Sequence, residues 1–232
     1  MRTIGLLGGT SWESTAVYYA LLNRGTSERL GPQRQPRILL HSFDFAEIAA
    51  SQALGEWGAL GQVYADATRA LVASGAEVLG ICANTMHLVA DEVRAAAGDA
   101  QLVHIVDATA VAAQRAGASS VALLGTAYTM EQPFYVDALR AHGFDVVVPE
   151  RDERAELQRI VYDELTRGIV RSESRRLLLD VVATCADRGA QVALLACTEF
   201  QMLAEPGEAE AVIPLVDTAR EHCLGLLDAA LA

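Results

Sequence analysis

The sequence predicts an α/β protein built from two pseudo-symmetric halves, each carrying a parallel sheet. Two internal matches predict it. Residues 75–85, GAEVLGICANT, lie without a gap over residues 189–199, GAQVALLACTE. Both begin Gly-Ala, cross an apolar run short enough to be a buried strand, and end on small polar residues. Residues 4–10, IGLLGGT, match residues 121–126, VALLGT, at nearly the same offset and one residue shorter. Strands alternating with helical stretches imply parallel pairing. Matching strand ends facing one another would form one site between the halves, so those ends are where chemistry is expected. The expected division is 1–105 plus 212–232 for the first lobe and 106–211 for the second.

In chain order, residues 2–7 read as a first buried strand and Gly8-Gly9-Thr10-Ser11 as its turn into a helix bearing Val17, Tyr18, Leu21 and Leu22 on one face. The paired glycines allow a ligand close to the backbone and the amides after them can hold an anion; a plain tight turn fits equally well. Residues 37–43 give the second strand, 44–54 and 56–74 two helices broken at Gly55, and 78–82 the third strand, followed by a helix over 86–97. A strand at 102–106 closes this half, with His104 as a core histidine and Asp107 as N-cap of the next helix. The second half repeats the plan, with strands at 121–124, 144–148, 192–196 and 212–215. Its helices fall at 130–142, 151–167, 172–188 and from Asp217 to Ala230, with Pro133 in the first turn of the first of them. The interspersed arginines and carboxylates of 151–188 read as solvated faces.

A formal net charge of -12 without any basic run excludes a nucleic-acid surface. No apolar run approaches the ~20 residues that span a bilayer, and the N-terminus leads straight into a strand, so a cytoplasmic protein without membrane association is expected. Cys82, Cys185, Cys197 and Cys223 have neither disulfide-framework nor zinc spacing and should be free thiols, with no metal site. All 18 basic side chains are arginine. Without a lysine there can be no pyridoxal-phosphate Schiff base and no Gly-Lys P-loop, and no cofactor is expected.

Cys197 ends a strand just before an expected helix, where amides and the helix dipole would favour thiolate. Cys185 and Cys223 fall within helices and read as structural. The ungapped overlay sets Ala83, not Cys82, opposite Cys197, and Cys82 opposite Ala196. A regular strand would therefore turn Cys82 away from the site; a bulge after it would swing it into line.

Cys82-Ala83-Asn84-Thr85-Met86-His87 and Cys197-Thr198-Glu199 resemble the two signatures of the aspartate/glutamate racemase family, in the sub-group with one residue between the first cysteine and Asn-Thr. GGTSWEST with Tyr18-Tyr19, the stretch from Gly125 to Tyr135, and residues 213–218, IPLVDT, extend the resemblance over essentially the whole chain. It implies two flavodoxin-like lobes, an active site in the cleft between them, a homodimer, and cofactor-independent racemisation of an amino acid. Cys197 and Cys82 would be the catalytic thiols, one removing the α-proton and the other returning one. Thr10, Ser11, Gln52, Ala83, Asn84, Thr85, Thr126, Thr198 and Glu199 form the candidate substrate-binding set. Two departures stand out. Two-cysteine members have cysteine where this chain has Ala83, and the stretches 44–48 and 161–165 lack the basic residues that archaeal-type aspartate racemases place there. A one-cysteine decarboxylase of the arylmalonate type and a non-catalytic amino-acid-binding protein are the alternative readings.

Overall fold

A computed structural model describes all residues, 1–232. The chain divides into two compact units, Met1–Ile105 with His222–Ala232, and Val106–Glu221. The first runs β1 (Ile4–Gly8), α1 (Trp12–Leu30), β2 (Ile38–Ser42), α2 (Phe45–Leu54), α3 (Trp57–Ala73), β3 (Val78–Ile81), a 3-10 turn (Thr85–Val89), α4 (Ala90–Ala96) and β4 (Gln101–Leu102). From α5 (Ile105–Arg115) the second continues through β5 (Ser120–Gly125), α6 (Ala127–Glu131), α7 (Pro133–Ala141), β6 (Asp145–Val147), α8 (Arg151–Asp163) and a 3-10 turn (Leu165–Arg167). It then runs through α9 (Ser172–Asp187), β7 (Val192–Ala196), a 3-10 turn (Thr198–Met202) and β8 (Leu215–Asp217), and α10 (Thr218–Leu231) returns the chain to the first unit from His222 on.

Each unit holds one four-stranded sheet, ordered β2-β1-β3-β4 in the first and β6-β5-β7-β8 in the second. All pairings are parallel. Strands β1, β3 and β7 are buried along their whole length, as the inner strands of a sheet covered on both faces must be, which is why they read as unbroken apolar runs. Gly80 lies in the middle of β3 because a Cβ there would come within 2.8 Å of Leu226 on α10. The absence of a side chain lets the helix approach that face.

The two inner cores are built alike. In the first, Leu79, Ile81 and Ala83 pack with Ile48 of α2 and Leu60, Tyr64, Ala67 and Leu71 of α3. In the second, Ala193, Leu195 and Cys197 pack with Leu157, Ile160 and Val161 of α8 and Leu178, Val181 and Val182 of α9. Alternate strand residues share a face, so these sets fix which way each strand end points.

Several expected boundaries move. Residues 212–221 belong to the second unit instead of the first, because β8 completes the second sheet: Ala193, Leu194 and Leu195 pair with Leu215, Val216 and Asp217. The strand itself lies at 215–217, after Pro214, whose carbonyl accepts from the Ala193 amide at 2.9 Å. The strand expected over 102–106 stops at Leu102, since the Ile105 amide is taken by the His87 ring and the chain enters α5. Asp107 consequently sits in the first turn of α5, paired with His142 at 2.7 Å. The helix expected over 130–142 is two helices that break at Gln132, before Pro133, which has no amide hydrogen to continue the first. The face expected to be solvated on 151–188 includes one buried carboxylate, Glu164, which accepts from Arg159 at 2.8 Å and from the Ser174 hydroxyl.

Candidate active site

In the second unit, β7 delivers Cys197 in extended conformation, and the chain then winds into the 3-10 turn Thr198–Met202. The Cys197 thiol is buried and donates to Glu199 Oε2 at 3.1 Å; the Thr198 hydroxyl donates to the same oxygen at 2.9 Å. Two consecutive side chains thus converge on the carboxylate of the residue that follows them. Burial pushes the thiol well above its ordinary range, and the Glu199 charge and the hydrogen bond to its carboxylate push it further; the Glu199 amide acts the other way.

This overturns the expectation of a thiolate held by a helix N-terminus. A five-residue 3-10 turn supplies little aligned dipole, and a neighbouring carboxylate outweighs it, so the resting thiol is protonated. Glu199, expected among the substrate-binding residues, engages the thiol. Thr126, another of them, stands at the start of α6, where its hydroxyl lies 3.3 Å from that of Thr129, and the next amide, of Ala127, donates to Gln158 at 2.8 Å.

In the first unit, β1 and β3 keep one register from Ile4↔Val78 to Leu7↔Ile81, and the Cys82 amide continues it by donating to the Leu7 carbonyl at 2.9 Å. The register is unbroken through Cys82. Ala83 therefore shares the face of Leu79 and Ile81, as Cys197 shares that of Ala193 and Leu195, while Cys82 falls on the alternate face with Gly80. Cys82 is fully buried, and burial raises its thiol pKa.

The remaining candidates of this unit gather at the same ends of its strands. Thr10 shares a hydrogen bond of 3.0 Å with the buried Tyr64 hydroxyl, and Ser11 caps α1 by accepting from the Ser14 amide at 3.4 Å. Asn84 is buried and Thr85 partly buried at the start of the 3-10 turn. Gln52, on α2, is buried with its amide nitrogen 3.0 Å from the Met86 sulfur, which ties α2 to that turn.

The sequence marks His87 only as part of a motif. His87 is buried; its Nδ1 lies 2.9 Å from the Ala83 carbonyl and its Nε2 accepts from the Ile105 amide at 3.2 Å. Accepting at Nε2 leaves Nδ1 as the donor, so the neutral ring pins the carbonyl of Ala83, the residue that overlays Cys197 in the sequence repeat. Its ring meets His104 at 4.6 Å and His222 at 5.5 Å between centroids. Burial lowers the His87 pKa well below the usual value, with the other two histidines adding to the effect. The spacing of His87 from Asn84-Thr85 was visible, but nothing local links it to residues 104 and 222.

No group of three or more His, Cys, Asp or Glu side chains is placed to hold a metal ion. No helix is long and apolar enough to cross a membrane.

The sequence pattern of the Asp/Glu/hydantoin racemase family matches residues 7–224. The chain belongs to this family. Among solved structures, it is similar over the whole of both chains to a provisionally assigned Asp/Glu racemase from Yersinia pestis, at 40% identity and a TM-score of 0.93. It is also similar over the whole of both chains to an aspartate racemase homologue from Pyrococcus horikoshii, at 31% and 0.87. The Picrophilus torridus aspartate racemase matches 99% of this chain and 94% of its own at 21% identity and a TM-score of 0.77, a likeness of fold. An arylmalonate decarboxylase, at 15% identity and 0.54 over 99% and 92%, shares the fold more distantly. The two parallel sheets are the two-lobe racemase architecture.

Proposed function

We propose that this family member is a cofactor-independent amino-acid racemase or epimerase in which Cys197 is the principal acid/base. The observation that carries this reading is the buried thiol at the end of β7, hydrogen-bonded to a carboxylate that can exchange a proton with it. Removing an α-proton needs a positioned base and donors for the charge that moves onto the substrate carboxylate. Asn84, Thr85, Thr126 and Thr198 are the candidate donors at the strand ends. A racemase of this kind needs no pyridoxal phosphate, in keeping with a sequence that has no lysine to hold it.

Cys82 is the candidate second acid/base, weakened by its place on the alternate face of β3; an ordered water is the other possibility for that role. Aspartate and glutamate are the first substrates to test, because the similar structures carry those names. Neutral amino acids belong in the same panel, since 44–48 and 161–165 contain no basic residue to hold a side-chain carboxylate.

One observation favours a second reading. With alanine in register with Cys197, a single thiol suits a decarboxylase that protonates an enediolate from one side. The test is incubation with a panel of L-amino acids in D2O, following loss of the α-proton signal by NMR, alongside an arylmalonate assayed for CO2 release. Exchange with any amino acid supports the racemase. CO2 release without exchange supports the decarboxylase, and neither result points to an amino-acid-binding protein.

A further inference from the structure

Resting on the reading of Cys197 as acid/base, we propose that Glu199 is its proton partner: Cys197 and Glu199 form a thiol–carboxylate pair that works with one proton as the base and with two protons as the acid. The motif alone suggests an ordinary substrate contact for this glutamate. The geometry gives it a different task, because the thiol and the Thr198 hydroxyl both donate to the same oxygen, Oε2, at 3.1 and 2.9 Å.

Charge balance explains why the pair must act as a unit. Ionising the buried thiol to solvent would leave two negative charges about 3 Å apart with little water between them, which the site resists. Passing the proton from Sγ to Oε2 keeps a single negative charge in the pair. The Thr198 hydroxyl, which donates to the carboxylate, supports the charge on Glu199, and the pKa-lowering influence of the Glu199 backbone favours it on sulfur.

The proton count closes in both directions. In the one-proton form the S–H bond breaks as an O–H bond forms on Glu199. The thiolate lone pair then takes the α-proton, and the Cα–H electron pair moves into the substrate as an enediolate. The pair now holds two protons. In the reverse sense, the two-proton form delivers the thiol proton to the enediolate carbon, and the Glu199 proton returns to sulfur, restoring the one-proton form. The second partner of the reaction, whichever group it is, gains or loses the complementary proton, and water equilibrates the two between turnovers.

Tyr162 of α8 lies in electrostatic reach of Cys197, Glu199 and Tyr128 of α6. Burial first, then these neighbours, raises the Tyr162 phenol above its ordinary range.

The experiment is the Glu199→Gln substitution in the full chain, with two independent readouts. One is the pH dependence of Cys197 alkylation by iodoacetamide, followed by peptide mass spectrometry so that the other three cysteines do not contribute. The other is the α-proton exchange rate in D2O. The pair predicts that alkylation of Glu199→Gln begins at a lower pH than in the parent, because the neighbouring charge is gone. It also predicts that exchange falls on the order of 10²-fold, because the amide cannot hold the proton. Glu199→Asp, which keeps the charge, should hold the alkylation profile near that of the parent and recover part of the exchange; circular dichroism checks that both variants fold. An unchanged alkylation profile in a folded Glu199→Gln overturns the pairing. A shifted profile with unchanged exchange overturns the proton-transfer role. If Cys197→Ser still exchanges α-protons, the reading of Cys197 as acid/base has failed, and the alkylation profile still reports on the pair itself.

Discussion

The end of β7 and the end of β3 occupy equivalent places in two sheets of the same order, yet they present different chemistry. At β7 the residue on the inner-core face is Cys197, with a carboxylate at 3.1 Å. At β3 the equivalent residue is Ala83, the thiol has moved one position back to the alternate face, and a neutral histidine holds the Ala83 carbonyl at 2.9 Å. The same scaffold stands in both halves, and the thiol–carboxylate contact lies at the strand end of the second. A strand end fixes a backbone position, and a shift of one residue is enough to take a side chain off the face.

The largest expected effect tests that imbalance directly. Cys197→Ser should lower α-proton exchange on the order of 10³-fold or more, because a hydroxyl is a far weaker acid than a thiol and cannot pass its proton to Glu199 in the same way. A rate within tenfold of the parent would break the comparison.

The halves should also part in acid. His87 and His222 are buried in the first unit, whereas His142, the one histidine of the second, is exposed. Burial lowers the His222 pKa from 6.5 to about 4. The unfolded chain therefore binds more protons between those values. The stability this group contributes is fully present above about pH 6.5, falls as the pH drops toward 4, and changes no further below that. The loss is on the order of 3 kcal/mol for His222, with His87 acting in the same direction. Hydrogen exchange as a function of pH should show amides of β1 and β3 losing protection before those of β5 and β7; equal loss in both sheets would contradict it.

A smaller change would restore symmetry. Ala83→Cys sets a thiol in register with Cys197 and should speed α-proton exchange by about tenfold, as expected for adding a positioned acid/base. An unchanged or lower rate in a folded protein would show that this position is not on the reacting face. The smallest effect belongs to Cys82→Ala, which should keep exchange within about threefold of the parent while costing about 1–2 kcal/mol of stability by urea unfolding, for the loss of a buried sulfur. A loss of 10²-fold would instead make Cys82 the second acid/base.

Alternation of apolar runs with helical pattern, and the gapless match of 75–85 with 189–199, were sufficient to read two parallel α/β halves and to point to their strand ends. Side-chain alternation along a strand is a local property, so even the one-residue offset of Cys82 was legible. Tertiary structure decided what local pattern does not encode. β8 joined the second sheet by pairing with β7, although nothing in residues 212–217 names its neighbour. His87 became a lock only when Ile105 and His222 were brought to it from 18 and 135 positions away. The Cys197 pKa also depended on the fold. Strand followed by helix suggests a lowered value, but burial and the Glu199 carboxylate folding back onto the sulfur raise it, because desolvation and charge proximity are set by packing in three dimensions.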